Sequence, residues 1–278
     1  MLQTITYPCV SQKIKLDKVW GYEEWLLSLL DPSTKLQGIT NNQGIDLYTI
    51  KGSTRFPMIK RIVSSESLSI QVHDKDKPEM WYILDCSSDS YLYLGWSKLA
   101  EPLTYKERLQ KLNEGDMRVL NKKSVTPGSY FYIAPGTVHA LGPKCDVLEV
   151  SYQSDTTYRL YDYDRRPARE LHTILAKPIT SLSTDYTFSA EEYGSDVISI
   201  DLGNKFSISV MNPGFRTRTS MEDEFIYIAT PTMVGIPGSK VVSMNHQLLY
   251  NPKGSSIDLS TKSLGVNIII KLLQDEII

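Results

Sequence analysis

Apolar and polar positions alternate with a period of two through the middle of the chain, the pattern of strands that bury one face. Leu68, Ile70 and Val72 face one way, and Ser69, Gln71 and His73 the other. Asp74 to Pro78 is charged, short and closed by proline, which is turn chemistry. Residues 80–84 are aromatic and branched, as strands prefer. Further strands are predicted over residues 56–63, 91–96 and 147–152, with residues 1–19 extended. Residues 22–30 read as a short helix stopped by Asp31-Pro32, and 31–55 as loop. Thr104-Tyr105-Lys106-Glu107 is a capping box that opens a helix through Leu112, ending at Gly115. A second box, Ser189-Ala190-Glu191-Glu192, opens a helix ended by Gly194. Short strands follow at 198–202, 206–210, 225–230, 247–250 and 266–272, separated by turns at Asn212-Pro213-Gly214, Ile236-Pro237-Gly238 and Asn251-Pro252-Lys253-Gly254. That spacing predicts a mainly β protein built on sandwich or jelly-roll sheets.

Within this pattern some polar residues fall where they converge. Gln71 and His73 share one strand face, and the tight turn returns Glu79 beside them. An amide oxygen, an imidazole and a carboxylate suit a borderline divalent metal such as zinc, iron or manganese. A Gln-x-His on a strand is more often surface or satisfied core than ligand; a second segment changes the balance. Pro127-Gly128 and Pro135-Gly136 are turns on either side of an aromatic strand, and His139 opens the next strand, at a sheet's rim.

Composition narrows the class of protein. The 278 residues are 41% hydrophobic and 22% charged, ordinary for a globular chain with a sizeable core. A formal net charge of −2 argues against a nucleic-acid or anionic-membrane partner, and no apolar run is long enough to span a bilayer. No charged start followed by an apolar core is present, so no signal peptide is expected. Cys9, Cys86 and Cys145 read as free thiols of a reducing cytosol, and a cytoplasmic location is expected. The expected assembly is a monomer or weak homodimer.

The two metal segments resemble those of the cupin superfamily. The runs Ser69-Ile70-Gln71-Val72-His73, Lys77-Pro78-Glu79, Ala134-Pro135-Gly136-Thr137-Val138-His139-Ala140-Leu141-Gly142 and Glu149 to Arg165 closely resemble type I phosphomannose isomerases in their short bacterial form. The resemblance covers roughly residues 56–172. It implies a cupin jelly roll with helical additions over residues 1–180, and a smaller cupin-like β domain without metal over 181–278. It further implies one divalent metal, zinc foremost, on Gln71, His73, Glu79 and His139, and interconversion of mannose 6-phosphate and fructose 6-phosphate through an enediolate. Arg159 corresponds to the family's catalytic arginine, and Asp155, four residues earlier, also matches its motif. Lys77, Asp155 and Glu149 are candidates for the acid/base, with Glu149 also expected against the sugar. A family lysine that faces the sugar falls on Lys60 counting back from Ser69, and on Arg61 counting forward from Pro57. His172 and His246 read as structural or surface residues. The His73-to-Glu79 connection is far shorter than is usual in the family, and Asp74 stands where proline is typical. That departure keeps two other classes in view: a non-catalytic or altered-specificity sugar-phosphate-binding cupin, and, on the same ligand types, an iron-dependent oxygenase.

Overall fold

A computed structural model describes residues 8–31, 34–38, 44–46, 56–74, 77–183, 199–202, 206–211, 216–219, 221, 224–230, 232–235, 241–261 and 267–272. It is mainly β, with several antiparallel sheets. The chain divides into two units: one of residues 1–15, 24–59 and 194–278, the other of 16–23 and 60–193.

The second unit pairs two sheets. One runs Leu120–Ser124, Tyr91–Trp96, His139–Leu141, Ile70–Val72, Tyr158–Tyr161; the other runs Tyr130–Ile133, Glu79–Cys86, Cys145–Ser151, Met58–Ser64, Gly21–Leu27, Ile14–Lys18. Alternation along these strands sends Ile62, Trp81, Ile83, Leu92, Leu94, Phe131, Ile133, Leu141 and Val147 into a shared core. The opposite face of the five-stranded sheet offers Ile70, Val72, Tyr93, Ala140 and Leu160, which pack with Leu112 of the helix Tyr105–Asn113 and Ala176 of the helix Thr173–Ala176. The strand Tyr91–Trp96 is thus covered on both faces, Leu92 and Leu94 on one and Tyr93 and Trp96 on the other, and apolar burial of this kind contributes roughly 25 cal/mol per Å².

The first unit places an eight-stranded sheet, with Cys9–Gln12 between Gln247–Asn251 and Lys35–Gly38, over a sheet of Arg216–Thr219, Ser256–Thr261, Thr232–Gly235 and Val241–Met244. Ile226, Ile228, Leu249 and Ile269 from the larger sheet meet Val234, Met244, Ile257 and Leu259 from the smaller. The expected division at residue 180 differs from these units, because the N-terminal strand pairs with residues near the C-terminus, Cys9 opposite Tyr250.

The capping box forms as read: Thr104 accepts from the Glu107 N–H, and Glu107 reaches back to the Thr104 N–H at 2.8 Å. The helix expected at 22–30 is instead the strand Gly21–Leu27. Glu24, Trp25, Leu26 and Leu27 are buried one after another, which no single helical stripe achieves. Gly21 sets its course: at φ +146°, an added Cβ would lie 2.0 Å from the Val63 carbonyl oxygen. The stretch expected as loop carries the strands Lys35–Gly38 and Gly44–Asp46. Of the later strands, Arg216–Thr219, Thr232–Gly235, Val241–Met244 and Ser256–Thr261 went unread; their sequences are polar or interrupted. The second capping box, and the turns at 212–214 and 236–238, lie outside the described residues.

Candidate metal centre

The interior of the second unit changes character along its length. Each inward row begins apolar and ends polar: Ile62 leads to Lys60, Ile83 and Trp81 to Glu79, Val147 to Glu149 and Ser151, and Leu141 to His139. Strand register aligns these ends. On one sheet Ile133, Glu79 and Ser151 form a rung. On the other, Leu94, His139, Gln71 and Arg159 stand abreast. Residues directly opposite in antiparallel strands share a face. Gln71 and Arg159 therefore face the same side as His139.

His73, Glu79 and His139 are buried, and their donor atoms all lie within 4.8 Å of one another. His73 Nε2 is 3.1 Å from Glu79 Oε1, and His139 Nε2 is 3.7 Å from Oε2. Both imidazoles are oriented from behind by main-chain carbonyls: His73 Nδ1 by Thr156 O at 2.7 Å, His139 Nδ1 by Thr137 O at 2.9 Å. A carbonyl oxygen only accepts, so each Nδ1 carries the proton, and each Nε2 lone pair points at Glu79. That is the outer support typical of metal-binding histidines. The turn before His139 is fixed by Gly136, at φ +75°, whose N–H donates to the His73 carbonyl at 3.2 Å.

Glu79 is the atomic test of fit. Both its oxygens are buried, and neither completes a well-aligned hydrogen bond. The Lys77 ammonium stands 2.8 Å from Oε1. Donors about 2.1 Å from a tetrahedral cation sit roughly 3.4 Å apart, close to the spacings seen here. Two neutral nitrogens and an under-satisfied carboxylate fit a divalent cation. Gln71 approaches His139 Nε2 at 3.4 Å through its amide nitrogen, and a flip of that amide would offer Oε1 as a fourth donor.

The electrostatics agree. Burial would raise the Glu79 carboxyl, but its neighbours His73 and Lys77 outweigh it and hold it well below the usual carboxylate range. Burial, then the neighbouring His73, pushes His139 down to about 4, so it is neutral at pH 7. Burial works against the Lys77 ammonium, yet Glu79 and Glu149 lift its pKa above the usual lysine value. Burial and the charge of Glu79 push the Glu149 carboxyl up.

The other expected site residues divide. Lys60 turns inward, 3.9 Å from Glu149 and 3.8 Å from Glu23. Arg61, the next residue, takes the opposite face and closes a two-bond pair with Asp146 at 2.8 and 2.6 Å. Arg61 therefore faces away from Lys60 and Glu149, because a one-residue step in a strand reverses the face. Glu149 accepts from Trp81 Nε1 at 3.3 Å. Arg159 donates through Nη1 to the Glu170 carbonyl at 2.7 Å, while its Nε is buried with no hydrogen-bond partner. Asp155 is exposed, beside the Thr156 carbonyl that holds His73. The Thr137 and Thr156 carbonyls were missed from sequence, because a main-chain oxygen has no residue signature. Among the described residues no other His, Cys, Asp and Glu group could hold a metal.

No family model matches the chain. Mannose-6-phosphate isomerase ManA of Bacillus subtilis (strain 168) is 41% identical over an alignment of 137 positions, which covers 42% of each chain. The chain thus matches less than half the length of that relative. The crystal structure of the mannose 6-phosphate isomerase from Bacillus subtilis superposes with TM-score 0.74 at 19% identity, over 96% of this chain and 100% of that one. A zinc-bound mannose 6-phosphate isomerase gives 0.73 at 11%, over 97% and 100%. The structural likenesses establish the fold.

Proposed function

We propose that this chain is a metal-dependent aldose–ketose isomerase that interconverts mannose 6-phosphate and fructose 6-phosphate. The observation that carries the reading is the buried meeting of His73, Glu79 and His139, with Lys77 on the carboxylate and Arg159 abreast of Gln71. The names of the relatives support the substrate. His73, Glu79 and His139 would hold zinc or a like cation, with the amide oxygen of Gln71 completing the set. Such a cation, when bound, supplies Lewis acidity toward the sugar oxygens.

The reaction moves a proton between adjacent carbons, and negative charge develops on sugar oxygen as it does. Arg159 stays charged at neutral pH and has a free donor at Nε, which suits that charge. Lys77 keeps its proton beside Glu79 and is a donor at the site. Glu149, whose carboxyl is pushed up by burial and by Glu79, is the inner carboxyl that accepts or returns a proton. Asp155, on the exposed rim, is a less favourable acid/base than either. Lys60 has a carboxylate on each side, so it suits a sugar hydroxyl better than a phosphate dianion.

A coupled assay on the zinc-loaded protein tests the reading. Fructose 6-phosphate formed from mannose 6-phosphate supports it. No turnover with zinc, manganese or ferrous iron overturns it. Binding of mannose 6-phosphate without turnover would point to the sugar-phosphate-binding alternative, which the short His73-to-Glu79 connection favours.

A further inference from the structure

Arg159 sits where a strand holds its own backbone least firmly. Among the described residues Tyr158–Tyr161 is the last strand of its sheet, paired with Ile70–Val72 alone, and its register breaks between Arg159 and Tyr161. An edge strand at a bulge has unpaired polar groups on one side and an irregular ladder on the other. Yet a guanidinium aimed at developing charge must be placed to within a fraction of an ångström.

One residue meets that need. The Arg159 N–H donates to His172 Nδ1 at 3.0 Å, and the His172 N–H donates to the Arg159 carbonyl at 2.7 Å. Both main-chain groups of Arg159 on its open side are thus closed by a single residue, as a neighbouring strand would close them. Two residues earlier, the Glu170 carbonyl takes Nη1 of the same arginine. His172 is itself anchored. Its carbonyl receives the Ala176 N–H at 2.8 Å, and the Thr173 carbonyl receives the Tyr105 hydroxyl at 2.8 Å. The clamp is therefore tied to the helix Tyr105–Asn113.

We propose that His172 is a positioning residue for Arg159, acting as a neutral imidazole with Nδ1 bare and the proton on Nε2. A backbone N–H can only donate, so Nδ1 must accept. This is the opposite tautomer to that of His73 and His139, whose Nδ1 atoms face carbonyls. Asparagine can offer Oδ1 where the histidine offers Nδ1; alanine offers nothing. The kinetic part rests on the isomerase reading, and the tautomer part does not.

The test uses the full, zinc-loaded chain. Nitrogen NMR of labelled protein, with His172 assigned by the signals lost in His172→Asn, should show Nε2 protonated and Nδ1 bare. A proton on Nδ1 overturns the proposal whether or not the protein is an isomerase. In the coupled assay His172→Ala should lose about 10- to 100-fold in kcat, with KM and zinc content little changed. His172→Asn should recover most of that loss. Unchanged kcat in His172→Ala, or equal losses in both folded, zinc-loaded variants, overturns the proposal. If the unmodified protein has no turnover, the isomerase reading fails and the NMR result alone decides the clamp.

Discussion

At the scale of residues, the candidate donors could be picked out together because they lie in compact runs. Gln71 lies on the strand Ile70–Val72, His73 follows its end, and register brings His139 opposite Gln71. The choice between Lys60 and Arg61 was not legible, since counting from two landmarks gave answers one residue apart. The fold settles their facing through Asp146, which captures Arg61. His139→Ala should lose stoichiometric zinc by elemental analysis while circular dichroism keeps its β signature; retained zinc would remove His139 from the donor set. Arg159→Ala should lower kcat by roughly 100- to 1,000-fold at unchanged zinc content, with a smaller change in KM. Normal turnover in that variant would shift the charge-stabilising role to Lys77.

At the scale of elements, local signals succeeded where they were self-contained. The Thr104 box needs only four residues, and it fixes the start of its helix; Thr104→Ala should destabilise the protein by about 1 kcal/mol in urea unfolding. The misread strand Gly21–Leu27 shows the limit. Its run of buried residues owes its form to sheet pairing, which no local window contains. Gly21 is where that pairing becomes visible in chemistry, because the Val63 carbonyl occupies the space of a side chain. Gly21→Ala should cost about 1–3 kcal/mol through backbone strain alone, with the carbonyl clash added. A midpoint unchanged in urea would show that the chain passes Val63 by another route.

At the scale of the whole molecule, burial of a histidine couples folding to pH. In the metal-free protein His139 is pushed down from 6.5 to about 4. Between those values the unfolded chain takes up a proton that the folded one refuses. The contribution of His139 to stability is therefore complete above about pH 6.5 and falls as pH drops toward 4, by about 3 kcal/mol. Glu79, held low by His73 and Lys77, acts with the same sign further down. Thermal unfolding of the metal-free chain should show this fall, and a flat midpoint across that range would refute it. The mainly β character was readable from alternation, but the division of the chain was not: adjacency in sequence suggested a cut near residue 180, whereas Cys9–Gln12 pairs with Gln247–Asn251. That pairing also sets a timetable. A ribosome delivers Cys9–Gln12 long before Gln247–Asn251, so one edge of the earlier strand waits for its partner while the residues between them are made. Closing so long a loop is slow. The nascent chain must carry an open strand edge for that time, while the segment that holds His73, Glu79 and His139 is already outside the ribosome and free to gather its donors.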